Sequence, residues 1–353
     1  MTAAEHERFP RGRRACARSR AGAARLAAQG VLALCTALAS CATLPEPPAT
    51  TFRIEVHPLE TRTIATSDIL RGASEGKPVT IAAALRLPFA PPGRLPAVVF
   101  LHGDAGAVAG QPLWIEALLA QGVAVLSVDS FSGRGAIAPD AELTSLRTPV
   151  GPFSRVVDAE RALALLASHP RIDPARIALM GESSGGYTTL LASQSRFAHA
   201  YGQAGLRYAA YIALYPPCNV ELAGDTELEP GPVRVFAGLA DVVTSAEACR
   251  GYVDRLRAAG RDAAFVGYAN APHGFDGPDA WPRQQIEGLP TFARCRVRET
   301  ADHALVNADT GRAPTPADAC VGHGIVGGPD PQARVAVRRA VDELLRAVLV
   351  APR

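Results

Sequence analysis

The segment Ile177-Ala178-Leu179-Met180-Gly181-Glu182-Ser183-Ser184-Gly185-Gly186 runs from four apolar residues into a serine bracketed by glycines. A short, continuous apolar run fits a strand buried on both faces, and the residues after Ser183 fit a helix from Ser184 to about Arg196. Glycines at 181 and 185 allow close backbone approach, so a serine on a tight strand-to-helix turn projects its hydroxyl above the sheet. The helix that begins at Ser184 offers free N–H groups where negative charge develops. A bare G-x-S-x-G also occurs in glycine-rich turns with no catalytic task; the strand before it and the helix after it give this one chemical meaning.

Outward from this turn the chain alternates. Strand-like runs stand at Phe52–His57, Val79–Leu87, Ala97–Leu101 and Val123–Val128 before it, and at Ala209–Leu214, Val233–Phe236 and Ala264–Tyr268 after it. Helices fit Trp114–Ala120, Ser154–Ser168 and Ser245–Ala259. A last helix fits Gln332–Val350, with Val337, Val341, Leu344, Leu345 and Val348 on one face. Strand–helix alternation predicts an α/β fold, a mostly parallel sheet covered by helices on both sides. Residues 276–331 break the rhythm with Gly, Pro and polar residues, and read as an insertion before the last helix.

A serine hydroxyl is a poor nucleophile at neutral pH without a base. Ala271-Pro272-His273-Gly274-Phe275 follows the last predicted strand, with Pro and Gly to fix the loop. The base needs an orienting carboxylate, and Asp241 in Ala237-Gly238-Leu239-Ala240-Asp241 follows the strand at 233–236; Asp225 and Asp276 are its competitors. The order Ser183, Asp241, His273 is the chain order expected when a strand-to-helix serine works with an acid and a histidine.

These motifs, with Val98-Val99-Phe100-Leu101-His102-Gly103 and Val128-Asp129-Ser130-Phe131-Ser132-Gly133-Arg134-Gly135, resemble the α/β-hydrolases, and within them the dienelactone-hydrolase-like branch. The resemblance covers about residues 75–275 and the last helix. It implies an α/β-hydrolase fold without a large helical cap, catalysis by Ser183, His273 and Asp241, and no cofactor or metal. It also implies an oxyanion hole made by the backbone N–H groups of Ser184 and Asp104, with Ala105 the alternative to Asp104. Two departures stand out. Dienelactone hydrolases use cysteine where this chain has Ser183, and place a carboxylate in the oxyanion loop where this chain has Gly103. Both favour a general esterase of carboxylic esters or lactones. Arg134 falls near a substrate-binding arginine of such enzymes but equally suits a structural ion pair.

The chain has 353 residues with a formal charge of +2, which gives no reason to expect nucleic acid as a partner. Residues 1–25 hold seven arginines against Glu5 and Glu7, so the remainder is mildly acidic. The apolar run Leu26–Ala39 is short for a membrane span and has the length of a signal-peptide core. It ends Leu38-Ala39-Ser40-Cys41, which resembles the lipobox of bacterial lipoproteins. Residues 1–40 therefore read as a signal peptide, Cys41 as a lipid-bearing terminus, 41–51 as a Pro-rich tether and 52–353 as the hydrolase domain. The alternative is a secretory signal with an incidental Cys. The lipid would be the sole membrane contact, at a periplasmic or outer-membrane site. Cys218, Cys249, Cys295 and Cys320 remain, an even number that suits an exported protein; pairing by proximity gives Cys218–Cys249 and Cys295–Cys320, against free buried thiols. His303 and His323 form no recognisable metal pattern with them.

The expected activity is hydrolysis of a small-molecule ester through an acyl-enzyme. Two rivals stand beside it. One is a peptidase or amidase of the prolyl-oligopeptidase type, for which the chain has no room for a β-propeller ahead of the domain. The other is a non-catalytic lipoprotein that uses the scaffold for binding.

Overall fold

Valine-rich runs form the centre of the sheet, and the polar excursion forms small sheets of its own. The computed structural model describes residues 52–89, 92–107, 111–136, 150–280 and 283–350. The expected signal peptide and tether, with Cys41, lie outside the described residues.

The strands are β1 (Phe52–Thr63), β2 (Lys77–Pro88), β3 (Leu95–Leu101), β4 (Ala124–Asp129), β5 (Ile172–Glu182), β6 (Tyr211–Leu214), β7 (Val220–Glu221), β8 (Val233–Gly238) and β9 (Ala263–Tyr268). They continue with β10 (Gln284–Thr291), β11 (Val297–Glu299), β12 (Leu305–Asn307) and β13 (Gly322–Gly327). The helices are α1 (Thr66–Leu70), α2 (Gln111–Ala120), α3 (Pro152–Ser168), α4 (Ser184–Ala192), α5 (Ser195–Tyr201), α6 (Ala246–Ala258) and α7 (Pro331–Leu345).

Eight strands form the main sheet in the order β1-β2-β4-β3-β5-β6-β8-β9. From β4 to β9 all pairings are parallel; β1 and β2 are an antiparallel addition at one edge. Every residue of β3 is buried, as a strand covered on both faces requires. Its pleat divides the core. Ala97, Val99 and Leu101 join one cluster with α3, α4 and α6, while Val98 and Phe100 join another with Trp114 of α2 and Val337, Val341 and Leu345 of α7. Each such fully buried aliphatic side chain contributes about 2 kcal/mol.

One expectation needs correction. The helix after Ser183 does not run to Arg196: at Gln194 the backbone turns extended and bridges Leu228, and the chain restarts as α5. Ser195 N–H also donates to the Glu227 carbonyl, so a tertiary pairing outcompetes helix continuation. The insertion carries short strands. β10 pairs with β13, and β11 pairs with β12 and with β7. Asp276, read as its first residue, belongs to the buried interior at 1% exposure.

The disulfides form as favoured, Cys218–Cys249 and Cys295–Cys320. Disulfides persist in oxidising compartments, which fits a protein outside the cytosol. Among the described residues no helix is long and apolar enough to cross a membrane.

Candidate active site

Ser183 sits between β5 and α4 with φ 52° and ψ −119°, a conformation that side-chain-bearing residues rarely adopt. Its N–H donates to the Leu214 carbonyl at 2.9 Å, which ties the turn to β6. The flanking glycines are required by crowding. A Cβ at Gly181 would lie 2.2 Å from the Gly185 carbonyl oxygen, and one at Gly185 would lie 2.4 Å from the Leu101 carbonyl oxygen. The turn is therefore wedged between β5 and the end of β3, and Ser183 is held in its strained geometry.

Two more loops close on it from the same ends of the parallel strands. His273 Nε2 lies 3.0 Å from Ser183 Oγ, and His273 Nδ1 lies 2.8 Å from Asp241 Oδ2. The loops carrying Asp241 and His273 are packed onto each other: a Cβ at Gly238 would lie 2.2 Å from the Ala271 carbonyl oxygen, and Ala240 N–H donates to that same carbonyl. Asp241 also accepts from the N–H groups of Val243 and Thr244 and from the Thr244 hydroxyl. Burial pushes the Asp241 pKa up, but His273 and these donors outweigh it and leave it below the usual value. Burial pulls the His273 pKa down, and Asp241, with Asp104 and Asp276 behind it, more than restores it, so the imidazole ends above its ordinary pKa. The structure thus brings Ser183, His273 and Asp241 into one hydrogen-bonded line. The competitors are engaged by other groups: Asp225 pairs with Arg255, and Asp276 accepts from Trp114 and Tyr215.

Behind the turn lies a buried cation. Arg155 of α3 is fully buried; it donates to Ser184 Oγ at 3.0 Å and to the His102 carbonyl, and its guanidinium lies over the Phe131 ring. Burial lowers its pKa to about 10, which still leaves it charged at neutral pH. His102 is held neutral, its pKa lowered to about 3 by burial and by Arg155. Ser130 N–H donates to His102 Nε2, so Nδ1 carries the proton and donates to the Gly103 carbonyl at 2.6 Å. This lock fixes the loop that ends β3, where Gly103 comes within 3.2 Å of Ser183 Cβ for an added Cβ. Asp104 follows in that loop, and its charge raises the pKa of both Arg155 and His273.

Arg134 resolves as a structural residue. Its Nε donates to Thr63 Oγ1, its Nη1 to Asp158 Oδ2 and the Ser130 carbonyl, and its Nη2 to Asp158 Oδ1 and the Arg62 carbonyl. All five donor hydrogens are engaged, and the side chain is 3% exposed. Among the described residues no cluster of three or more His, Cys, Asp or Glu could hold a metal ion.

The sequence reading missed Glu182, at the x of G-x-S-x-G, with its neighbours Tyr215 and Trp114, and weighed Asp276 only as a competitor of Asp241. A carboxylate placed directly after an apolar strand was the available signal. Its partners arrive from three other elements and carry no local mark.

The fold agrees with that of known proteins. In overall structure the chain is similar to a dienelactone hydrolase-like promiscuous phosphotriesterase, P91, from metagenomic libraries, with a TM-score of 0.54 and 19% identity over 84% of this chain and 98% of that one. It is similar to a protein described as m3DLH, with a TM-score of 0.53 and 20% identity over 84% of this chain and 99% of the other. Among curated proteins none matches the sequence. The sequence profile of the dienelactone hydrolase family matches residues 81–287, more than half of the chain and all of the strand-and-turn framework that carries Ser183, Asp241 and His273. The chain belongs to the dienelactone hydrolase family, within the α/β-hydrolase superfamily.

Proposed function

We propose that the protein is a serine esterase acting on carboxylic esters or lactones. The observation that carries this reading is the line Ser183 Oγ, His273, Asp241, with 3.0 and 2.8 Å between partners. His273 takes the Ser183 proton as Oγ attacks the ester carbonyl, and Asp241 fixes the tautomer and stabilises the imidazolium. The backbone N–H groups of Ser184 and Asp104 receive the oxyanion, with the buried Arg155 charge behind Ser184 reinforcing them. His273 then protonates the leaving alkoxide, and water repeats the sequence on the acyl-enzyme.

Serine supports this reading over the cysteine chemistry of dienelactone hydrolases, and the saturated Arg134 supports substrates without a carboxylate to be held there. In this reading residues 1–40 direct export and Cys41 carries a lipid that tethers the domain. The test is Ser183→Ala assayed with p-nitrophenyl acetate: kcat/KM should fall about 10⁴-fold or more with the melting temperature preserved. Retained hydrolysis would overturn the assignment. Fluorophosphonate should label wild type and not the variant; a wild type that takes no label would favour a binding role. Faster turnover of a matched amide than of the ester would favour a peptidase.

A further inference from the structure

Beneath His273, four side chains from separate parts of the chain meet in a buried cluster that the steps above leave unused. Glu182 ends β5, Tyr215 follows β6, Trp114 stands on α2, and Asp276 follows the His273 loop; all four are buried. Asp276 accepts on both oxygens, from Trp114 Nε1–H at 2.6 Å and from the Tyr215 hydroxyl at 2.7 Å. Tyr215 Oη lies 3.4 Å from Glu182 Oε2, and Gly103 N–H lies 3.5 Å from Glu182 Oε1. The Tyr215 ring meets the His273 imidazole edge-on, with centroids 4.8 Å apart. Tyr215 itself has φ 37°, a strained backbone held in place by its surroundings.

The protons can be assigned. Tyr215 has one, and the shorter bond commits it to Asp276, which leaves Glu182, at 3.4 Å, without that donor to stabilise a charge. Burial raises the Asp276 pKa too, but Asp276 has two short donors to hold its charge, and the Arg338 guanidinium, over the Trp114 ring, also feels that charge. Burial and the nearby Asp276 hold Glu182 far above the carboxylate range, at about 8, which agrees with a neutral acid. The cluster therefore carries one negative charge, on Asp276.

We propose that Glu182, Tyr215 and Asp276 are positioning residues that fix a single negative charge behind His273, where it stabilises the imidazolium formed when His273 takes the Ser183 proton. This rests on the esterase reading. The other charged groups facing His273 are Asp241 and Asp104; Arg155 faces Glu182 from α3.

The experiment compares Asp276→Asn and Glu182→Gln by the pH profile of kcat/KM. His273 must be neutral to act as base, and a nearby anion raises its pKa. Removing the anion in D276N should move the acid limb about one unit toward lower pH and lower kcat about tenfold. In E182Q a neutral amide replaces a neutral acid, so the limb should stay in place. An unmoved limb in D276N, or a displaced limb in E182Q, overturns the proposal. Should D276N fail to fold by circular dichroism, Asp276→Ser, a smaller neutral residue, is read on the same criterion, and an unmoved limb there overturns the proposal. NMR titration of the His273 imidazole in both variants reads the shift without substrate. A titration that moves in D276N in a protein that cleaves no ester would sink the esterase reading and spare this one. Ester hydrolysis with an unmoved titration would do the reverse.

Discussion

The Ser183 turn and the 276–331 excursion both border the same histidine, yet they are held by opposite means. The turn is held by exclusion: backbone carbonyls stand where side chains would be at Gly181 and Gly185, and the surrounding strands permit one path. The excursion is held by attachment. The Cys295–Cys320 bridge closes it on itself. Arg196 grips Glu299 through both carboxylate oxygens, and Gly328 N–H donates to the His273 carbonyl. Thr291 Oγ1 ties it to the Val242 carbonyl, beside Asp241. Close packing suits a turn that must be strained, because strain persists only where the surroundings over-determine it. Covalent and ionic ties suit a polar segment that buries too little apolar surface to hold itself.

This contrast is breakable. The largest effect should come from Gly185→Ala, since a methyl group meets the Leu101 and His102 carbonyls at 2.4 and 2.5 Å and the buried end of β3 cannot retreat. Denaturant unfolding should show a loss of about 3–5 kcal/mol together with loss of ester hydrolysis. A stable, active G185A would mean that exclusion does not govern the turn.

A smaller effect is expected from Cys295→Ala with Cys320→Ala. The bridge spans 25 residues, and its loss should cost about 3 kcal/mol of stability. Hydrogen exchange should localise the loosening to the excursion and the His273 loop, with amides of α4 still protected. If α4 loosens equally, the two regions are one cooperative unit and the comparison fails.

The subtlest distinction is the direction of pH response. Glu299 on β11 is lowered below its usual 4.5: burial opposes this, but the Arg196, His303 and Ala223 N–H bonds prevail. A depressed carboxylate stabilises above its unfolded pKa, and that contribution fades as pH falls through the folded value. Glu182 is raised to about 8, so its contribution is complete below about 4.5 and is lost as pH rises through 8. Hydrogen exchange, corrected for intrinsic rates, should therefore show residues 297–307 opening first in acid, and residues near 182 opening first in base. Simultaneous opening at one pH would remove the distinction.

The same difference explains what could be read from the sequence. β3, β4 and the apolar half of β5 are short runs dominated by apolar residues, and local composition suffices to find them. The positions of Ser183, Asp241 and His273 follow from strand ends, because a parallel sheet brings those ends together. The excursion hid its strands: β10 has five exposed residues in succession, and β11 and β12 have three residues each, too few for a period to show. The break at Gln194 depends on Leu228, and the Glu182 cluster on residues from four elements. Partners that meet only in the folded chain leave no local trace.

The wedged turn also has a consequence in time. Ser183 meets His273 across 90 residues, and Gly103 meets Glu182 across 79. Until the 101–103, 213–215 and 271–273 stretches have all arrived, nothing holds Ser183 in its left-handed conformation, and it relaxes to an ordinary turn. Competence for chemistry is then among the last properties a folding chain acquires and among the first a loosening one gives up.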